Sequence, residues 1–196
     1  MPTIDDVITF WFGNPTATNP EPAYRKQWFA KSEAFDGEIR ERFGELLAAL
    51  MAGRHEQWLE SARGCLARVL VLDQFSRNIF RDQPEAFASD ALALATTDHL
   101  LGSGMLTELS SEGQCFALMP LMHSEDRARQ AQSVEQFTAL AERAPENPGL
   151  KGNVDYAHRH KVIVDRFGRY PHRNAVLGRA STPEELEFLK QPGSGF

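Results

Sequence analysis

Cysteine is nearly absent: Cys65 and Cys115 are the only two in 196 residues. They sit in unrelated surroundings, each within an apolar helical pattern, and are read as buried reduced thiols rather than a disulfide or redox pair. No apolar run approaches the roughly 18–20 residues that a membrane span needs. The opening stretch MPTIDDVITFWFG has no basic region ahead of its apolar one and carries Asp5 and Asp6, which speaks against a signal peptide. A cytoplasmic, soluble protein with no membrane partner is expected. Positive charge is also in deficit, with a formal net charge of −6, so nucleic acid is not an expected partner. The chain has no Gly-rich phosphate loop and no G-x-S-x-G elbow. Four of its six histidines fall between 123 and 172, yet none shows HExxH spacing or a Cys/His cluster, so neither a metal nor a cofactor is expected. Strand-like alternation never lasts more than a few residues, and no repeat of roughly 30–45 residues is visible.

What is present is helical periodicity over a composition that is 42% hydrophobic, enough for one core or two closely packed subdomains, taken as a single all-helical domain over 1–196. Thr3 and Asp6 predict a capping box, followed by Val7, Ile8, Phe10 and Trp11 and a stop at Gly13. GNPTATNPEP (13–22) reads as a loop. From Ser32 to Ala52, Phe35, Ile39, Phe43, Leu46, Leu47 and Leu50 keep helical spacing. One long helix is predicted from Leu66 to Phe80, closed by Pro84, and another from Ser89 or Asp90 to Leu101, stopped by Gly102. Ser111 with Gln114 predicts a further capping box, and Ser124 the N-cap of the next helix. The linker APENPGLKG (144–152) precedes a helix from about Val154 to Phe167, ended by Gly168. Thr182, Pro183 and Glu185 form a strong start signal for a last helix before the tail at 191–196. The expected class is all-α, built from stacked antiparallel helical hairpins.

Three constellations stand out chemically. In LVLDQFSRNIFRD (70–82), Gln74, Arg77, Asn78 and Arg81 share one helical stripe, with Asp73 placed to pair with Arg77. Amides and guanidiniums there, rather than Lys and Glu, suit planar anions such as carboxylates and phosphates; the competing reading is hydrogen bonding to neighbouring helices. In EGQCFALMPLMHSED (112–126), His123 shares a face with Phe116 and Met119, Pro120 withholds a backbone donor, and Glu125 and Asp126 follow; the plainer reading is a core histidine beside a helix end. In DRFGRYPHRNAVLGR (165–179), His160 of the preceding helix lies on the apolar face, and the Gly168–Pro171 break presents Arg169, His172, Arg173 and Asn174, with Asn174 a candidate N-cap. Residues 151–179 hold seven cationic side chains against two aspartates, a basic segment on an acidic body.

The blocks LDQFSRNIFR, MPLMHSED and RFGRYPHRNAVLGRASTPEELEFL resemble the signature blocks of a bacterial family known as domain of unknown function 924. The resemblance spans nearly the whole chain. It implies a tetratricopeptide-like right-handed superhelix of helical hairpins, and it implies no activity. Three functions follow as expectations. The first is a binding module in which Asp73, Gln74, Arg77, Asn78, Arg81, His123, His160, Arg169, His172, Arg173 and Asn174 line a pocket for a small anionic ligand or an acidic peptide. The second is an enzyme using His123, Glu125 and His172 for acid–base work on an anionic substrate. The third is a scaffold in which the same polar residues are buried cross-links between helices.

Overall fold

Thr3 begins the first helix by local chemistry alone. Its hydroxyl accepts the Asp6 N–H at 3.2 Å, and the Asp6 carboxylate accepts the Thr3 N–H at 2.8 Å. Helix α1 then runs Ile4–Phe12 and ends at Gly13. The chain is seen in a computed structural model that describes residues 1–13, 28 and 30–195; beyond Gly13, the expected loop at 13–22 lies outside them. Helix α2, Glu33–Met51, is capped by Ser32 and buries Ile39, Phe43, Leu46, Leu47 and Leu50, the face that the spacing picks out. Among the described residues there is no strand, and the all-α class holds.

The long helix expected over 66–80 starts earlier and is not uniform. Helix α3 occupies Ala62–Val69, six residues in π-helical turns follow at Leu70–Phe75, and α4 covers Ser76–Ile79. The wide turn is closed by Ser76 N–H reaching the Val71 carbonyl, five residues back. The Ser76 and Ser89 hydroxyls both donate to the Leu72 carbonyl, at 2.7 and 2.5 Å. Ser89 therefore precedes helix α5, Asp90–Ser103, without a side-chain capping bond. That helix also runs past Gly102, because the left-handed turn its end requires is supplied by Gly104 at φ +77°.

Two more caps differ from expectation. Helix α6 spans Ser111–His123 with Pro120 inside it, and Ser110, not Ser111, accepts the Gly113 N–H. The Gln114 amide instead donates to the Leu109 carbonyl. Helix α7, Arg127–Arg143, is capped by Asp126, which accepts the Arg129 N–H at 3.0 Å. Ser124 supports the turn before it by accepting the Asp126 N–H. Helix α8, Gly149–Phe167, begins five residues before the expected Val154, because Leu150 is buried and anchors an added turn. Gly168 ends it at φ +71°. Helix α9, Pro183–Phe188, carries the predicted Thr182–Glu185 capping box.

The chain forms two compact units. The first comprises Met1–Arg81 and Glu85–Ala117. Its interior is aromatic: Trp11 packs on Phe75 and Phe116 with ring centroids 5.4 and 5.5 Å apart, and Phe43 meets Phe75 at 4.8 Å. Cys65 and Cys115 are buried free thiols, and burial pushes the Cys65 thiol up to about 11. The second unit comprises Asp82–Pro84 and Leu118–Phe196. In it α7 and α8 form an antiparallel pair, with Arg127 at the start of α7 donating to the Asp165 carbonyl near the end of α8. Tyr170 packs with Ile163 and Val164, flanked by Phe167 and Phe188.

Two glycine substitutions separate backbone strain from crowding. An added Cβ at Gly168 meets nothing within 4 Å, so Gly168→Ala is expected to cost only the left-handed strain, about 1 kcal/mol. At Gly64 the added carbon falls 2.1 Å from the Trp58 carbonyl oxygen, so Gly64→Ala is expected to destabilise considerably more. Urea unfolding of both variants measures the difference.

Candidate functional site

The polar stripe of the first unit divides between two carboxylate centres. Asp73, fully buried in the π-helical turn, lies 3.0 Å from Arg77, the pair its spacing predicts, and accepts from the Gln74 amide at 2.7 Å. The Arg77 fork grips Asp90, at the start of α5, at 2.9 and 3.1 Å. Arg81 instead forks onto Asp36 of α2 at 2.6 and 2.8 Å, and the Asn78 amide joins the same carboxylate at 2.7 Å. Burial opposes ionisation of Asp36. The hydrogen bonds from Arg81 and Asn78 and the fields of Arg81 and Arg40 outweigh it and hold its pKa below the usual range.

In the second unit, the second and third sequence blocks meet at Tyr170. Its hydroxyl donates to the Met122 carbonyl at 2.5 Å and accepts from the Gln130 amide at 2.7 Å. Its backbone N–H donates to Glu125 at 2.8 Å. Glu125 is gripped by both Arg179 terminal nitrogens, at 2.6 and 2.9 Å. Burial works against its ionisation, and the Arg179 and Tyr170 hydrogen bonds with the Arg179 and Arg173 charges lower its pKa nonetheless. Arg169 forks onto Glu185 at 2.7 and 2.8 Å. Asn174 caps no helix as the sequence suggested: its amide donates to Ser181 and Glu185, and its oxygen accepts from Arg179. The Arg169 bond, ahead of other causes, brings Glu185 down to about 2.

Two imidazoles pack on Tyr170, and a third adjoins one of them. His160 meets the tyrosine ring edge-on at 5.7 Å, His172 lies 5.5 Å from it, and His123 is 6.4 Å from His160. The Arg173 guanidinium stacks 4.5 Å over the Tyr170 ring and donates to the His123 carbonyl at 3.0 Å. His160 is 4% exposed, while His123 and His172 are half-buried. Burial, aided by the neighbouring His123, Arg173 and His172, takes His160 down to about 3. Burial again leads for His172, with Arg173 next, and takes it to about 4. Burial and the Arg173 charge hold the His160 and His172 imidazoles neutral.

Sequence reasoning named Arg77, Arg81, Arg169 and Arg173 and, apart from Asp73 for Arg77, missed their partners. Asp36 carried no signal, since it lies 45 positions from Arg81. Asp90 and Glu185 were visible only as helix-start residues, Tyr170 only within the turn block, and Gln130 carried no signal. Among the described residues, no group of three or more His, Cys, Asp or Glu side chains is placed to hold a metal ion. A surface cavity of about 510 Å³ in the first unit is lined by Thr3, Asp5, His55, Trp58 and Arg63, among others. None of the candidate residues borders it.

The model of the family described as "Bacterial protein of unknown function (DUF924)" matches residues 7–193, and the chain belongs to that family. A solved structure of a protein of unknown function from Agrobacterium tumefaciens is similar to it at 33% identity. The match covers 96% of this chain and 97% of that one, with a TM-score of 0.82. No curated protein matches.

Two measurements probe the geometry at Tyr170. Tyr170→Phe removes the hydroxyl's bond to the Met122 carbonyl, which keeps the Gln130 amide as a donor, and is expected to cost about 0.5–1.5 kcal/mol in chemical unfolding. The pH profile of stability has two parts. His160 and His172 bind protons more readily when unfolded, so stability falls as pH drops below the ordinary value of 6.5 toward about 4 and 3. Glu185 stabilises the fold above its ordinary value of 4.5 and loses that contribution as pH falls toward about 2. His172→Asn is expected to flatten the upper part and Glu185→Gln the lower.

Proposed function

We propose that this member of the family is a binding module that takes a small anionic ligand or an acidic peptide at His123, His160, His172 and Arg173 of its second unit. The observation that carries this reading is the packing of two imidazoles and a guanidinium on one tyrosine ring, with a third imidazole beside His160. An arriving anion offsets the field that disfavours imidazolium there, so its charge is worth more than at an open surface. Arginine supplies planar, directional donors for such a group. Glu125, held ionised by Arg179, serves in this reading as an anchor for the segment carrying His172 and Arg173, and not as a proton carrier.

The forks of Arg77, Arg81 and Arg169 on Asp90, Asp36 and Glu185 favour a second role for the other motif residues. These residues act as cross-links within their own units. The two roles coexist, one at the imidazole cluster and one around it. A cytoplasmic setting belongs to the same reading, supported by the two buried free thiols.

Isothermal titration against inorganic phosphate, small carboxylates and a glutamate-rich peptide tests the proposal. Saturable binding is expected, weakened at least about tenfold in Arg173→Ala, the loss of one charge-assisted hydrogen-bonding group. Arg77→Ala is expected to lower the melting temperature and leave the affinity unchanged. Absence of saturable binding, or equal binding by Arg173→Ala, overturns the reading.

A further inference from the structure

We infer that the surface cavity of the first unit is a second ligand site, separate from the imidazole cluster, and that it takes a small organic acid: one carboxylate on a short apolar body, aromatic or aliphatic.

Three short pieces of chain form its walls. The start of α1 brings Ile4 and Asp5, the turn after α2 brings His55 and Trp58, and the start of α3 brings Ser61 and Arg63. Each piece is fixed by the protein itself. The Thr3–Asp6 capping box holds the first. The second turns sharply at His55, whose φ of +63° is rare for a residue with a side chain. Arg68, which is 4% exposed, ties that turn down: Nη1 donates to the His55 carbonyl and Nη2 to the Glu56 carboxylate, both at 3.4 Å. The third lies against the second because Gly64 has no side chain to hold it off the Trp58 carbonyl. The cavity of about 510 Å³ is thus preformed, and its size falls within the roughly 300–1,000 Å³ of small-molecule sites.

Its chemistry follows from Trp58. The residue is 6% exposed, yet its indole N–H meets no acceptor among the described residues. Nor is Nε1 sealed from solvent; it opens where Trp58 borders the cavity. A buried indole ordinarily finds a partner for that hydrogen, and it can only donate, so the group it calls for is an acceptor. Two further donors border the same space. Arg63 commits one terminal nitrogen to Asp5, and its other nitrogens meet no acceptor among the described residues. The Ser61 hydroxyl accepts the Gly64 N–H, which leaves its own hydrogen to donate.

Asp5 is the one acid bordering the cavity, and Arg63 engages it. Donors therefore exceed acceptors, which disfavours an amine. The planar guanidinium suits a carboxylate. The rest of the wall is apolar: Ile4 and the Trp58 ring, with the His55 ring 5.6 Å from that of Trp58. A fully polar anion such as phosphate would turn oxygens toward that hydrocarbon without partners. A carboxylate on an apolar body matches both halves of the wall.

NMR and calorimetry on the full chain with acetate, benzoate, hexanoate and inorganic phosphate test this. The three tryptophans give three indole N–H signals, and Trp58→Phe identifies the one from Trp58. Benzoate or hexanoate is expected to move that signal saturably. The better of the two is expected to bind at least about tenfold more tightly than acetate, the effect of burying roughly 55 Å² more apolar surface. A preference for benzoate identifies an aromatic acid and one for hexanoate an aliphatic acid; both support the inference. Arg63→Gln, at an exposed position, is expected to keep the fold and to weaken binding at least about tenfold. Acetate or phosphate binding as tightly as the larger acids overturns the inference, as does no saturable binding of either larger acid. Binding that survives Arg63→Gln, or that leaves the Trp58 signal unmoved, overturns it as well. None of these outcomes touches the imidazole-cluster proposal, which Arg173→Ala tests.

Discussion

The end of α6 sets the terms for the second unit. A helix C-terminus leaves its last carbonyls without intrahelical donors, and burying them unpaired is costly. Here the donors come from far along the chain. The Gln130 amide reaches the Met122 and Ser124 carbonyls, the Tyr170 hydroxyl reaches Met122, and Arg173 reaches His123. Satisfying one helix end therefore fixes the start of α7 and the segment after α8. The same four bonds hold Tyr170 where His160 and His172 pack on its ring and His123 adjoins His160. The candidate site is a by-product of helix capping by distant side chains.

Charge pairing does the complementary work. The basic segment at 151–179 is answered by acids that follow or precede it: Arg166 meets Glu184, Arg169 meets Glu185, and Arg179 meets Glu125. These pairs differ in weight. Arg166 and Glu184 are both largely exposed and contribute little, whereas the Glu185 side chain is buried against Arg169 and Asn174 and its bonds are directional. Removing one member of the inner pairs strands the other in a partly dry place, which is why such residues specify a single arrangement. What is left around Tyr170 is a guanidinium on a carbonyl and three imidazoles, a different electrostatic environment from the ion pairs beside it.

Sequence reasoning reached the elements more surely than their ends. Thr3, Ser32, Thr182, Gly13 and Gly168 act where local chemistry placed them. Ser111, Ser124 and Gly102 yielded their roles to Ser110, Asp126 and Gly104, neighbours of equal or greater capping aptitude. The π-helical turns at Leu70–Phe75 were invisible, since Ser89, which helps hold them, lies 17 positions from Leu72. That wide turn also helps explain why Arg77 and Arg81, one stripe on an ideal helix, grip different acids.

By itself the sequence determined the all-α class, the buried faces of the helices, the inert thiols and which residue types carry the unusual chemistry. These depend on periodicity and on contacts within a turn or two, where the polypeptide's own geometry dictates which side chains are neighbours. Only the tertiary structure decided the pairing: Asp36 for Arg81, Asp90 for Arg77, Glu125 for Arg179, and Met122 for Tyr170. A chain with 27 acids and 21 strong bases offers many equivalent partners. Coulomb attraction alone does not choose among them; burial and hydrogen-bond direction do, and these exist only once the helices are packed.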